Sequence, residues 1–372
     1  MRIQRRQLII VPWSFLLILA IPFTYYPRIV DGDTQPWVML GALVSVVIFG
    51  VVQKLKLNRI DIAMAFLCLF AILSNIPRVS VAEDAYRFIF NVGLFFLLWI
   101  VVPRTNDIYL SKILKITVVI WFFVGLVQNY MVSIGIPLDM PGRFVEGRGG
   151  VPSLTPEPSV YGMISVLIIL CLSSMNPSGN RVYAVLGTIS IYLSGSLLAF
   201  SALLLSFFRF RMRNYFLMAF ALFTALALLY EFVEVPILSR ATTISPDLLL
   251  FDPSINLRLG HNLFSMYENF SAELLFQNDL SFQSDYNAWA GGTGVFIDTK
   301  SNFVLSSIGG LVYSSGIFGL LICVLILHRS FISVKSNYQR AFKVGFVAFC
   351  LINPIAISNI FLMIYVMKPS EK

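Results

Sequence analysis

Apolar runs separated by short polar breaks recur along almost the whole chain. They fall at about 8–26, 37–53, 60–76, 87–102, 113–134, 159–175, 182–208, 214–233, 302–327 and 342–367. Most approach the roughly 20 residues that an α-helix needs to cross the hydrocarbon core of a bilayer. The pattern predicts an all-α integral membrane protein. Two runs permit two readings each. The run 182–208 has Arg181 before it and Arg209, Arg211 and Arg213 after it, with Leu193-Ser194-Gly195-Ser196 near its middle. If both ends face the same side, it is a hairpin of two short helices. The run 342–367 carries Asn353-Pro354 at its centre, and proline kinks or ends a helix. The expected count is therefore 11–12 transmembrane helices.

Composition strengthens this picture. The chain is 58% hydrophobic and 12% charged, against about 25% charged in an ordinary soluble domain. Its net charge of +8 would fit a nucleic-acid partner, but the basic residues sit in short segments between apolar runs. Arg2-Arg5-Arg6, Lys54-Lys56-Arg59 and Arg209-Arg211-Arg213 are examples. That is the signature of cytoplasmic loops beside anionic lipid. With the N-terminus inside and twelve crossings, 19 of the 27 Lys and Arg residues face the cytoplasm. The stretch from Leu8 to Tyr26 follows a basic start but has no small-residue cleavage site after it, so it reads as an uncleaved first span. Cys68, Cys171, Cys323 and Cys350 all lie inside apolar runs, which argues against disulfides. With only His261 and His328 and no Cys/His cluster, no metal and no cofactor is expected.

The organisation that follows has five parts: N-terminal transmembrane helices over 1–134, an outside loop over 135–159, central transmembrane helices over 160–234, a large outside loop over 235–301, and C-terminal transmembrane helices over 302–372. Within the large loop, Leu259, Leu263, Met266, Phe270 and Leu274 recur at helical spacing. Arg258, His261, Asn262, Ser265, Asn269 and Glu273 fall mainly on the opposite side. This predicts an amphipathic helix lying on the membrane surface or capping a cavity.

The first outside loop reads Pro141-Gly142-Arg143-Phe144-Val145-Glu146-Gly147-Arg148-Gly149-Gly150, then Val151 to Thr155, then Pro156-Glu157-Pro158-Ser159. Arginine offers a planar fork of donors, and glycine lets a phosphate approach the backbone. The helix that follows points its N-terminal amides the same way. The plainer alternative is a flexible loop with a proline-assisted helix start and a Glu complementing the helix dipole. Asp31-Gly32-Asp33 resembles a metal-binding acidic pair, but Asp and Gly are also ordinary turn formers, and the turn is the preferred reading. His261 reads as a solvated polar residue of a loop helix and His328 as a cytoplasmic edge. Tyr286 and Trp289 are aromatic residues of the large loop that are candidates for stacking on a flat ligand face.

The stretch Arg148-Gly149-Gly150…Glu157-Pro158-Ser159-Val160-Tyr161-Gly162 resembles the Arg-x-x-Gly…Glu-Pro-Ser-aromatic loop of the O-antigen polymerase and O-antigen ligase superfamily. Leu193-Ser194-Gly195-Ser196-Leu197-Leu198-Ala199 resembles that family's Ser-rich run between two short spans, without the Arg often found there. Arg258 stands in the large loop where the family places another arginine. Gly292-Thr293-Gly294, Ser301-Asn302-Phe303-Val304-Leu305 and Ser315-Gly316-Ile317-Phe318-Gly319-Leu320 follow its Gly-x-Gly, His-Asn and Gly-x-x-Gly-Leu pattern. The likeness covers residues from about 140 to 325.

The resemblance implies a GT-C-like architecture in the bacterial inner membrane, with both outside loops periplasmic and functional. It implies a metal-independent glycosyltransferase that moves a growing glycan from its undecaprenyl diphosphate to a sugar hydroxyl of the next lipid-linked repeat, for O-antigen or a related surface glycan. Diphosphate is already a good leaving group, so the demand is for cations and one base. Arg143, Arg148, Arg258 and Arg240 are the candidate diphosphate-binding cations, with Arg240 equally readable as a headgroup contact. Glu157 is the leading base, acting with Arg148 and Arg258, and His261 and Asp252 stand behind it. Expected partners are undecaprenyl-diphosphate-linked oligosaccharides and membrane lipid, with a chain-length regulator and a flippase beside them. Two alternatives compete. An O-antigen ligase is disfavoured by Ser301, since the ligases carry His at that position. A lipid-linked glycan transporter is disfavoured because Asp61, Arg87 and Glu231 all sit near the ends of their runs.

Overall fold

The structure is a computed structural model. It describes residues 57–75, 82–101, 107–136, 150–155, 158–175, 179–196, 198–203, 253–271, 282–299 and 306–332, with isolated positions at 43–44, 47, 304, 347 and 350. Every regular element among these residues is a helix: α1 (Arg59–Asn75), α2 (Ala82–Val101), α3 (Asp107–Ser133), α4 (Pro158–Met175), α5 (Arg181–Leu193), α6 (Pro253–Ser271), α7 (Phe282–Thr293) and α8 (Ser307–Ile332). The apolar runs 8–26 and 214–233, almost all of 37–53 and 342–367, and the pair Asp31 and Asp33 lie outside the described residues. Among the described residues two segments, Ser111–Ser133 in α3 and Ser307–His328 in α8, are long and apolar enough to cross a membrane.

The chain divides into two compact units. One contains Thr105–Ser245; the other joins Ala42–Arg104 to Pro246–Pro369. In the first unit α4 packs against both α3 and α5, and α3 packs against α5. Small residues set the fit. Gly187 of α5 lies against Ile169 of α4, and Gly162 of α4 lies against Ser194 and Ala199. Together with the bond from Asn180 Nδ2 to the Leu172 carbonyl at 2.6 Å, these contacts run α4 antiparallel to α5. At one end of the bundle the Lys115 ammonium sits 5.2 Å from the centre of the Tyr183 ring, near Lys112 and Arg181 in sequence. The other end is closed by residues 150–155 and 194–196, about 20 Å away along the 13 residues of α5.

In the second unit α1 packs on α2 and α8, and α6 packs on α7 and α8. α1 starts with a reciprocal cap. The Asn58 amide N–H bonds Asp61 Oδ2 at 3.1 Å, while the Asp61 N–H bonds Asn58 Oδ1 at 2.8 Å. Asp61 is buried, and Trp99 Nε1 of α2 donates to its other oxygen at 3.0 Å. A carboxylate near the end of an apolar run thereby has a bond to each of its oxygens and serves as a helix cap. α8 is interrupted at Gly316, whose φ 52 and ψ −128 lie outside helical space and within reach of glycine. A Cβ on Gly319 would collide with the Leu311 carbonyl, although those residues stand about 12 Å apart along a straight helix. The chain therefore bends sharply at Gly316. The glycines of Ser315-Gly316-Ile317-Phe318-Gly319 form this bend, so the apolar length of 307–328 is shared between two arms.

Most helix limits match the apolar runs within a few residues. The run 182–208 breaks where its serine-glycine centre predicts. α5 ends at Leu193, Gly195 turns the chain, and Ser196 caps the helical residues 198–203 through its carbonyl to the Phe200 N–H and its hydroxyl to the Ala199 N–H.

Candidate functional site

The first motif region is a buried knot of irregular backbone. Val151, Ser153 and Thr155 are each almost fully buried, where a flexible extramembrane loop was one of the expectations. Its polar groups are met from all sides. Gln128 of α3 pairs with Ser153 in both directions: its Nε2 donates to the Ser153 carbonyl at 2.7 Å and its Oε1 accepts from the Ser153 N–H at 2.7 Å. The Ser153 hydroxyl donates to the Trp121 carbonyl at 2.8 Å, and the Tyr161 hydroxyl donates to that same carbonyl at 3.1 Å. The Val151 N–H bonds the Leu193 carbonyl at 2.9 Å, and Thr155 caps the turn through the Pro152 carbonyl at 2.7 Å. Buried non-helical backbone is tolerated where the protein itself supplies its hydrogen bonds, and here it does. Ser153 holds a φ of 54, a left-handed conformation that is strained for serine and persists only under such restraint.

Gly150 shows how the two motif stretches of this unit meet. Its φ is +96, and a Cβ there would strike the Ser194 carbonyl. The expected role for this glycine was close approach of a phosphate. Its open face is instead filled by the Ser194–Gly195 backbone, because the loop folds inward onto the end of α5. The segment thus packed lies between Arg148 and Glu157, which with Arg143, Arg240 and Asp252 fall outside the described residues.

The second motif region, in α6 and α7, overturns two expectations and fixes the orientation of a helix that the sequence left open. His261 is not a solvated residue: it is fully buried, with its ring edge-on to Tyr286 at 4.6 Å and to Phe282 at 4.8 Å. Phe264, Trp289 and Tyr313 complete the aromatic shell around Phe282 and Tyr286. Tyr286 is also fully buried, so it is not a surface for stacking sugars; Trp289 remains half-buried, backed by Phe296 at 5.1 Å. The amphipathic helix exists, but its polar face points inward. Asn256, His261, Asn262 and Ser265 are buried while Leu259, Leu263 and Tyr267 are exposed. The polar side chains bridge to the rest of the unit, which is what turns them in. Asn262 Oδ1 accepts from the Ser306 hydroxyl at 2.5 Å, and its Nδ2 donates to the Arg258 carbonyl at 2.8 Å. The Ser265 hydroxyl donates to the His261 carbonyl at 2.6 Å. Arg258, the described member of the arginine set, is half-buried one helical turn before Asn262.

Two further amides hold the chain after α7. Asn256 pairs with the Val295 carbonyl and the Ile297 N–H, both at 3.0 Å. Asn287 pairs with the Thr299 carbonyl at 3.1 Å and the Thr299 N–H at 2.8 Å. Gly294, expected from the Gly-x-Gly pattern, ends α7 by bonding back to the Ala290 carbonyl at 3.2 Å.

The electrostatics follow from burial. Enclosure by rings lowers the His261 pKa to about 4, because a charged imidazolium finds no water there. Burial first, and the negative charge of Asp298 second, push the Tyr286 hydroxyl up to about 12. Gln128, Asn256 and Asn287 were not anticipated from sequence. The available signal was a single amide within or beside an otherwise apolar stretch, which names a polar demand but not its partner. No protein-family model and no curated protein sequence matches this chain.

Proposed function

We propose that this chain is a multi-pass polymerase of the bacterial inner membrane that joins undecaprenyl-diphosphate-linked oligosaccharide repeats on the periplasmic face. The reading is supported chiefly by the convergence of separated motif stretches on one end of the first unit. The Gly150–Thr155 segment and the Ser194–Ser196 run pack together there, away from Lys115 and Tyr183 at the opposite end. Positive charge marks the cytoplasmic edge, so the knot falls to the outer side under the positive-inside rule. A restrained segment between Arg148 and Glu157 suits groups that must be positioned before reaction.

In this mechanism the arginines Arg148 and Arg258, with Arg143 and Arg240 in support, hold lipid diphosphates and neutralise the charge that develops as the leaving group departs. Glu157 accepts the proton of the acceptor sugar hydroxyl as that oxygen attacks the anomeric carbon of the growing chain. The bond to the lipid diphosphate breaks, and the chain is one repeat longer on the incoming carrier. Asp252 and His261 are the secondary candidates for the base. The burial of His261 gives it a packing role as well.

A deletion strain tests this directly. Loss of a polymerase leaves lipid cores capped by a single repeat, whereas loss of a ligase or flippase leaves uncapped cores. Uncapped cores, or an unaltered glycan ladder, would reject the polymerase reading.

A further inference from the structure

The inverted polarity of α6 has a physical requirement. Leu259, Leu263 and Tyr267 lie one turn apart in a line, with Leu263 at 50% and Tyr267 at 56% exposure. Val295 and Ile297 are exposed as well, and Asn256, on the same helix, holds their backbone. The helix cannot simply roll to hide this face. Rolling would withdraw Asn256 from residues 295 and 297 and Asn262 from Ser306, leaving buried polar groups unmet. α1, in the same unit, also presents an apolar face outward. The likeness is in the outward face alone: α1 exposes Phe66, Leu69 and Leu73, while Met64, Cys68 and Ala71 are buried beside Asp61. Such a distribution is unfavourable against water and favourable against hydrocarbon. Yet Arg258 and Glu268 bracket the stripe, and charged residues within the helix weigh against its crossing the bilayer. A helix with one apolar face and charged neighbours lies in the interface plane.

We propose that the outward face of α6, continued by Val295 and Ile297, is a membrane-docking surface. α6 lies along the bilayer with Leu259, Leu263 and Tyr267 among the acyl chains just beneath the headgroups. The large loop is then a platform seated in the lipid, rather than a mass suspended above it. The proposal requires a bilayer-embedded chain and holds whether or not the chain transfers glycans.

Nitroxide labels at introduced cysteines test it in the full chain, reconstituted in vesicles of phosphatidylethanolamine and phosphatidylglycerol. The four native cysteines are buried, so labelling falls on Leu263→Cys, Tyr267→Cys and the exposed polar control Ser284→Cys. Oxygen should relax the labels at 263 and 267 severalfold more than a water-soluble nickel chelate does, with the order reversed at 284. Two positions are used so that one poorly folded variant does not decide the result. Relaxation dominated by the chelate at both 263 and 267, in protein that floats with the vesicles, overturns the docking surface alone. Protein that does not float with the vesicles overturns the membrane reading and the docking surface together.

Discussion

Gln128 and Ser153, 25 residues apart in sequence, exchange two hydrogen bonds of 2.7 Å, so that a side-chain amide pairs with a backbone unit as a neighbouring strand would. The pairing fixes the strained Ser153 and with it the knot of residues 150–155. Replacing Gln128 by Leu leaves the Ser153 N–H and carbonyl buried and unmet. A loss on the order of 2 kcal/mol is expected, read as a lower thermal midpoint of the detergent-solubilised protein. In cells the same variant should shorten the glycan ladder at unchanged protein level. Gln128→Leu with wild-type stability would show that the pair restrains nothing.

Two glycines should respond oppositely to alanine. Gly150→Ala meets the Ser194 backbone at a positive φ and should cost about 2 kcal/mol or more. Gly93, within α2, has nothing within 4 Å of its would-be Cβ, so Gly93→Ala should be neutral or stabilise by up to about 1 kcal/mol. Thermal unfolding of the pair, side by side, checks both signs.

Protonation of His261 couples stability to pH. The imidazole titrates near 4 in the folded chain and near its ordinary 6.5 when unfolded. As pH falls below 6.5 the unfolded chain takes up the proton first, so stability is full above that pH and declines toward 4. Between pH 7.5 and 4.5 the loss should be about 2 kcal/mol. His261→Phe keeps a ring in the shell and removes the proton, so its thermal midpoint should vary less over the same range. An unchanged pH slope in that variant would place the titrating group elsewhere.

Arginine geometry, rather than charge alone, is what the proposed diphosphate contacts require. Arg148→Lys and Arg258→Lys retain the charge and lose the planar fork. Each should collapse long glycan to single repeats, at least tenfold in long-chain product, with protein still present in membranes. Polysaccharide gels and immunoblots make the measurement. Normal chain length in both removes these arginines from the mechanism.

Helix positions were largely legible in the sequence because apolar runs answer to one physical demand. α1 and α4 match the runs 60–76 and 159–175 closely, α3 ends with its run 113–134 but starts six residues earlier at Asp107, and Ser194-Gly195-Ser196 announced its own break. α7 was not legible: Phe282 to Thr293 is short, half polar and ends in glycines. Orientation was harder still. The periodicity of α6 separates a polar from an apolar side, but not which of them meets the rest of the protein. The partners that decided it, Ser306 and the backbone at 295–297, lie 39 to 44 residues away. The burial of 150–155 depended equally on one amide in α3.

Gln128, Asn256 and Asn287 have a shared consequence. Each presents a donor and an acceptor in one plane to a backbone N–H and a backbone carbonyl. The corresponding acid has the same size and shape but turns two lone-pair-bearing oxygens on a peptide that offers one oxygen of its own. The nearest isostere is therefore the wrong replacement at all three joints. Hydrolysis of these amides, the slow chemical ageing of any glutamine or asparagine, would unfasten them one atom at a time.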